Sequence, residues 1–143
     1  MKYHKTIIFC LTILVLSLSF YYSFKNTTTQ VEEQALKTQS IEIGEVTYKI
    51  TPKKIKPSDR TWDFQVILDA HSGSLDQDVV TLISIADNKG NEYKAIKWVG
   101  DSPGGHHREG ILEFLPITPY PTYIELKIQT TNITKKNTLR WDI

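Results

Sequence analysis

Trp62-Asp63-Phe64-Gln65-Val66-Ile67-Leu68-Asp69-Ala70-His71 decides the fold. Trp62, Phe64, Val66, Leu68 and Ala70 alternate with Asp63, Gln65, Ile67, Asp69 and His71. A period of two places one set on one face of a β-strand and the other set on the opposite face. The same period recurs on both sides. Val46, Tyr48 and Ile50 alternate with Thr47, Lys49 and Thr51, and Pro52 and Pro57 then predict an edge or an end for that strand. Residues 79–86 form a nearly continuous apolar run and predict a central strand. Asp87-Asn88-Lys89-Gly90 turns it, and residues 93–99 return as the next strand. Residues 108–114 follow, with Leu112 and Phe114 inward. Ile124, Leu126 and Ile128 make another strand, and Leu139, Trp141 and Ile143 a last one. Trp62, Trp98 and Trp141 share the inward parity and are expected in the core, whereas Tyr120 between two prolines is expected at the surface.

About seven short strands with turn signals between them predict an all-β, immunoglobulin-like antiparallel sandwich, an architecture of about 100 residues. Residues 41–143 supply that length. Residues 26–40, NTTTQVEEQALKTQS, hold too few apolar side chains for a core and read as a polar tether or a frayed short helix.

Residues 1–25 carry only Lys2, Lys5 and Lys25 as charged groups, and residues 6–24 have none. As a helix, 19 uncharged residues extend roughly 28 Å, close to the apolar thickness of a bilayer. This N-terminal hydrophobic helix is either a signal peptide cut after Ser19 or an uncleaved anchor with Phe20, Tyr21, Tyr22 and Phe24 at the outer interface. The absence of an Ala-x-Ala site favours the anchor. The flanking lysines keep the N-terminus inside, so the expected location is the cell membrane with the body facing outward, or secretion if the segment is cleaved.

Composition excludes several function classes. Of 17 basic residues, 14 lie beyond residue 25, against 16 acidic ones. That balance lacks the clustered basic face of a nucleic-acid binder. Cys10 is the only cysteine and lies in the apolar segment, so the body has no disulfide, no thiolate ligand and no thiol nucleophile. Asn26-Thr27-Thr28 and Asn132-Ile133-Thr134 match the glycosylation acceptor pattern, which is common by chance.

Three constellations carry possible chemistry. The first is a zinc or copper site: Asp69 and His71 share the outward face of their strand, and His106 or His107 could add a ligand if the Gly104-Gly105 loop folds over it. Neighbours in a strand point to opposite faces, so His106 and His107 reach one ion only if the backbone there is irregular. The second is an anion or carboxylate site, with backbone N–H groups of Gly104 and Gly105 and the fork of Arg108. The bland counterpart is internal pairing of Arg108 with Asp101, Glu109 or Asp69. The third, Gly100-Asp101-Ser102-Pro103-Gly104, satisfies Gly-x-Ser-x-Gly. That motif needs a strand entering a helix, and Pro103, Gly104 and Gly105 forbid one, so serine hydrolysis is rejected. Asp76 and Asp78 lack the glycine and distal glutamate of a calcium loop and read as solvated.

Residues 62–72 (WDFQVILDAHS) and Pro103-Gly104-Gly105-His106-His107-Arg108 resemble a pair of motifs in a family of uncharacterised exported proteins of bacteria and archaea. Gly90-Asn91-Glu92-Tyr93-Lys94 and the closing Leu139-Arg140-Trp141-Asp142-Ile143 are similar to that family too. The resemblance implies an exported, autonomous domain and transfers no catalytic residue. It directs attention to His71, His106, His107 and Arg108. The expected function is therefore a non-enzymatic binding or structural module without a cofactor. Its partner is an extracytoplasmic protein or small ligand, met by the loops that carry His71, Gly104, Gly105, His106, His107 and Arg108. Zinc or copper binding is the alternative.

Overall fold

The computed structural model describes residues 36–129 and 137–143. The apolar segment 6–24, Cys10 and both acceptor sequences lie outside the described residues.

The described residues form nine strands and one helical turn: β1 (Gln39–Ile43), β2 (Val46–Lys54), β3 (Trp62–Ala70), α1 (Val79–Leu82), β4 (Ile83–Asp87), β5 (Glu92–Lys94), β6 (Lys97–Gly100), β7 (His107–Phe114), β8 (Tyr123–Ile128) and β9 (Thr138–Asp142). They form two antiparallel sheets, ordered β1-β2-β3-β7-β6 and β5-β4-β8-β9. The alternation in β3 has the expected consequence: Trp62, Phe64, Val66 and Leu68 are buried. They share one core with Ile83 and Ile85 of β4, Ile124 and Leu126 of β8, and Trp141 of β9. The Phe64 ring contacts Phe114 edge-on at 5.4 Å and meets Trp141 of the other sheet at 6.3 Å.

Four expectations need correction. The apolar run at residues 79–86 is not one strand. Asp78 caps a helical turn, its Oδ1 accepting the Val80 N–H at 3.0 Å, and β4 begins only at Ile83. The cap overrides the strand preference of Val79 and Val80 because the chain must turn here from one sheet to the other. Residues 93–99 are also divided. β5 belongs to one sheet and β6 to the other, and the crossing at Ala95 is followed by a bulge: Lys97 pairs with Glu113 while the Ile96 N–H donates to the same Glu113 carbonyl. Strand β2 is internal, between β1 and β3. Pro52 fits because the β1 ladder stops at Gln39–Ile50, and β2 bulges between Pro52 and Lys54. Finally, the body starts before Ile41: Leu36 packs on the core, the Lys37 carbonyl accepts the Trp141 indole N–H, and β1 begins at Gln39.

One lateral side of the fold is laced shut. The Gln39 side-chain amide donates to the Arg140 carbonyl and accepts the Arg140 N–H, so β1 occupies backbone groups on the edge of β9. At the β4–β5 hairpin, Asp87 Oδ1 accepts the N–H groups of Lys89 and Asn91, and Oδ2 accepts Asn91 Nδ2 and the Tyr93 hydroxyl. These bonds, Asn91's first, hold the Asp87 carboxyl down at about 2. A depressed carboxyl contributes stability that is complete above the unfolded value of roughly 4 and is lost as pH falls through the folded one. Acid titration of wild type should therefore show a loss of melting temperature between about pH 4 and pH 2 that Asp87→Asn makes smaller. Identical acid limbs in the two proteins would refute this role.

Candidate functional site at the loop end

Strand register assembles the site. β3 finishes at Ala70 where β7 begins at His107, so residues 71–78 and 101–106 leave the same end of the fold. The β1–β2 turn lies there too, because the His71 N–H donates to the Glu45 carbonyl. The described chain enters at the opposite end, where Lys37 meets Trp141.

The two loops are clasped. The Leu75 N–H donates to the Gly105 carbonyl at 2.9 Å, and the Leu75 carbonyl accepts the Gly104 N–H at 3.0 Å. Leu75 is buried and closes this end of the core. Gly104 and Gly105 have φ of 122° and 69°, a consecutive left-handed pair that side chains resist. The Gly104 N–H is thus spent on Leu75 and does not serve an external anion.

Arg108 is not a rim residue. It is 2% exposed, on the inward parity shared with Leu112 and Phe114. Nη1 donates to the carbonyls of Leu75 at 3.0 Å and Gln77 at 2.8 Å, and Nη2 to that of Asp101 at 3.4 Å. The guanidinium lies 5.6 Å from the centre of the Trp98 ring, and its buried Nε has no hydrogen-bond partner among the described residues. The expected internal pairing thus runs to backbone carbonyls instead of a carboxylate. Carbonyls of two loops that have left regular pairing, Leu75's buried among them, require donors, and one fork supplies three.

The histidines divide. His107 Nδ1 lies 2.7 Å from Asp69 Oδ1, directly across the β3–β7 ladder. Lys49 Nζ takes the other Asp69 oxygen at 3.1 Å. His107, then Lys49, hold the Asp69 carboxyl below the ordinary carboxylate range. His71 and His106 are exposed, and the His106 carbonyl accepts the Ala70 N–H. Among the described residues no three His, Cys, Asp or Glu side chains gather as a cation site. Asp78 is occupied as the helix cap, and Asp76 accepts the Ser74 hydroxyl.

Ser102 is exposed, and the chain after it runs through two left-handed glycines into strand β7, so there is no strand-to-helix elbow. Trp98 is half-buried instead of fully in the core. Its indole N–H donates to the Asp101 carbonyl at 2.9 Å, and its ring covers the close approach of Gly100 to Gly110. Tyr120 is exposed as expected, yet its ring also packs edge-on against Trp62 at 5.8 Å. Sequence reasoning missed Leu75, although a single leucine inside SGSLDQD is the signal of a loop plugged into a core.

Compared with family models, with curated proteins and with solved structures, the chain matches none.

Proposed function

We propose that the chain is an exported, non-enzymatic binding module, held at the membrane by residues 6–24 or released by their cleavage. Its partner, an extracytoplasmic protein or small ligand, is met by the loop end. The observation that carries this reading is the clasp. Leu75 and Arg108 fix two irregular loops from within, while His71, His106 and His107 stay exposed on the rim, opposite the end where the chain enters. A rigid scaffold that presents polar loops is the usual platform for recognition. An immunoglobulin-like type is supported by the order β2-β3-β7-β6 facing β5-β4-β8-β9, with β1 as an added strand. The outer faces pair opposite charges, as in Lys54–Asp63 and Lys127–Glu92, which favours no nucleic-acid partner. A photo-crosslinking residue at His106, in the chain expressed in its own cell envelope, is expected to give a discrete adduct that the same residue at Lys94 does not. Equal adducts, or none at either position, would contradict the reading.

A zinc or copper reading has one specific support: a carboxylate holding Nδ1 of His107 leaves Nε2 available, as second-shell carboxylates do in metal sites. His71 would be the companion ligand. Elemental analysis of the full chain, purified without added metal or a histidine tag, tests it. Stoichiometric zinc or copper lost in His71→Ala would support it. A metal-free protein whose melting temperature ignores both ions would remove it.

A further inference from the structure

We infer that β6 is a self-pairing edge, through which two copies of this chain join their five-stranded sheets about a two-fold axis. On the lateral side formed by β1 and β9, Gln39 bonds the Arg140 backbone and Lys37 the Trp141 indole, which leaves β6 as the less obstructed edge of this sheet. Among the described residues, strand β6 pairs with β7 alone. Asp101 donates to Glu109, and the same register bonds Val99 to Ile111, so the N–H and C=O groups of Trp98 and Gly100 point away from β7. Unpaired groups of this kind are a template for another strand. The short helix α1 packs beside β6 yet leaves Lys97, Val99 and Gly100 exposed.

The residues themselves specify the occupant and the register. With Val99 on the axis, Trp98 and Gly100 of one copy exchange hydrogen bonds with Gly100 and Trp98 of the other. Lys97 then stands opposite Asp101, whose Oδ2 already accepts the Glu109 N–H and whose other oxygen would take the lysine, a pairing of opposite charges repeated by symmetry. Val99, 46% exposed, meets its own copy in the closely spaced non-hydrogen-bonded position. On the inner side each tryptophan faces a glycine, so no two large side chains compete. Edge lysines normally discourage pairing; in this register Lys97 favours it.

The test uses the full chain carrying Cys10→Ser. In the non-hydrogen-bonded position the paired Cα atoms lie within disulfide range, so Val99→Cys should form a disulfide dimer at least about tenfold more readily under mild oxidation than Glu42→Cys on exposed β1. Adding Lys97→Glu to Val99→Cys sets like charges opposite each other and should cut the dimer yield roughly fivefold. Both substituted side chains are exposed, so folding is preserved. Equal yields at positions 99 and 42 would overturn the interface, and a yield indifferent to Lys97→Glu would overturn the pairing.

Discussion

Arg108→Met is expected to lower the melting temperature by roughly 10–20 °C, corresponding to about 3 kcal/mol or more for a domain of this size. Methionine keeps the apolar stem and relieves a buried charge, and replacing whole buried ion pairs by apolar side chains is often harmless. The difference here is that the acceptors remain. The carbonyls of Leu75, Gln77 and Asp101 are backbone groups that no substitution at position 108 removes. The Gln77 carbonyl loses its donor, those of Leu75 and Asp101 keep only the Gly104 N–H and the Trp98 indole N–H, and the loss of three charge-assisted bonds costs more than the relieved charge returns. Arg108→Lys should recover little, because a compact ammonium cannot span carbonyls from two loops. Thermal unfolding checks this, and a change under about 1 kcal/mol would show that the loops hold without the fork.

Gly110→Ala is the second large effect. Gly110 faces Gly100 across the β6–β7 ladder. A Cβ on Gly110 would lie 2.6 Å from Cζ2 of Trp98, 2.7 Å from the Gly100 Cα and 2.7 Å from the Val99 carbonyl oxygen. Two of those obstacles are backbone, so relief requires β6 to move away from β7. Overpacking of this kind costs about 1–3 kcal/mol, and displacement of Trp98 from Arg108 adds to it. The double variant Trp98→Ala/Gly110→Ala should not return to the stability of Trp98→Ala alone, because the backbone clashes persist. Denaturant unfolding distinguishes the cases, and full recovery would place the whole conflict on the indole.

How far the residues announce this arrangement depends on what fixes each part. Trp62 to Ala70 is decided by local alternation and one buried face, and it folds as read. Val79 to Leu82 is decided by Asp78 and by the need to change sheets, a tertiary demand that apolar runs do not encode. Ala95 is the same kind of case: the crossing between β5 and β6 carries no glycine or proline. The site was half legible. Gly104, Gly105 and the histidines marked an irregular loop, but the inward parity of Leu112 and Phe114, carried back four and six residues, already put Arg108 inside. Its charge suggested an external ligand, whereas its acceptors are carbonyls of loops remote in sequence, beyond the reach of local pattern.

The central claim is that residues 71–78 and 101–106 are locked to each other at one end of the two sheets. Amide hydrogen exchange of Leu75 and Gly104 in the native chain reads this directly. Both amides lie in surface loops, yet each donates across the clasp, so exchange should slow to rates near those of the β3 core and should rise sharply in Arg108→Met. Exchange at the pace of open, solvated loops in the wild-type protein would contradict it.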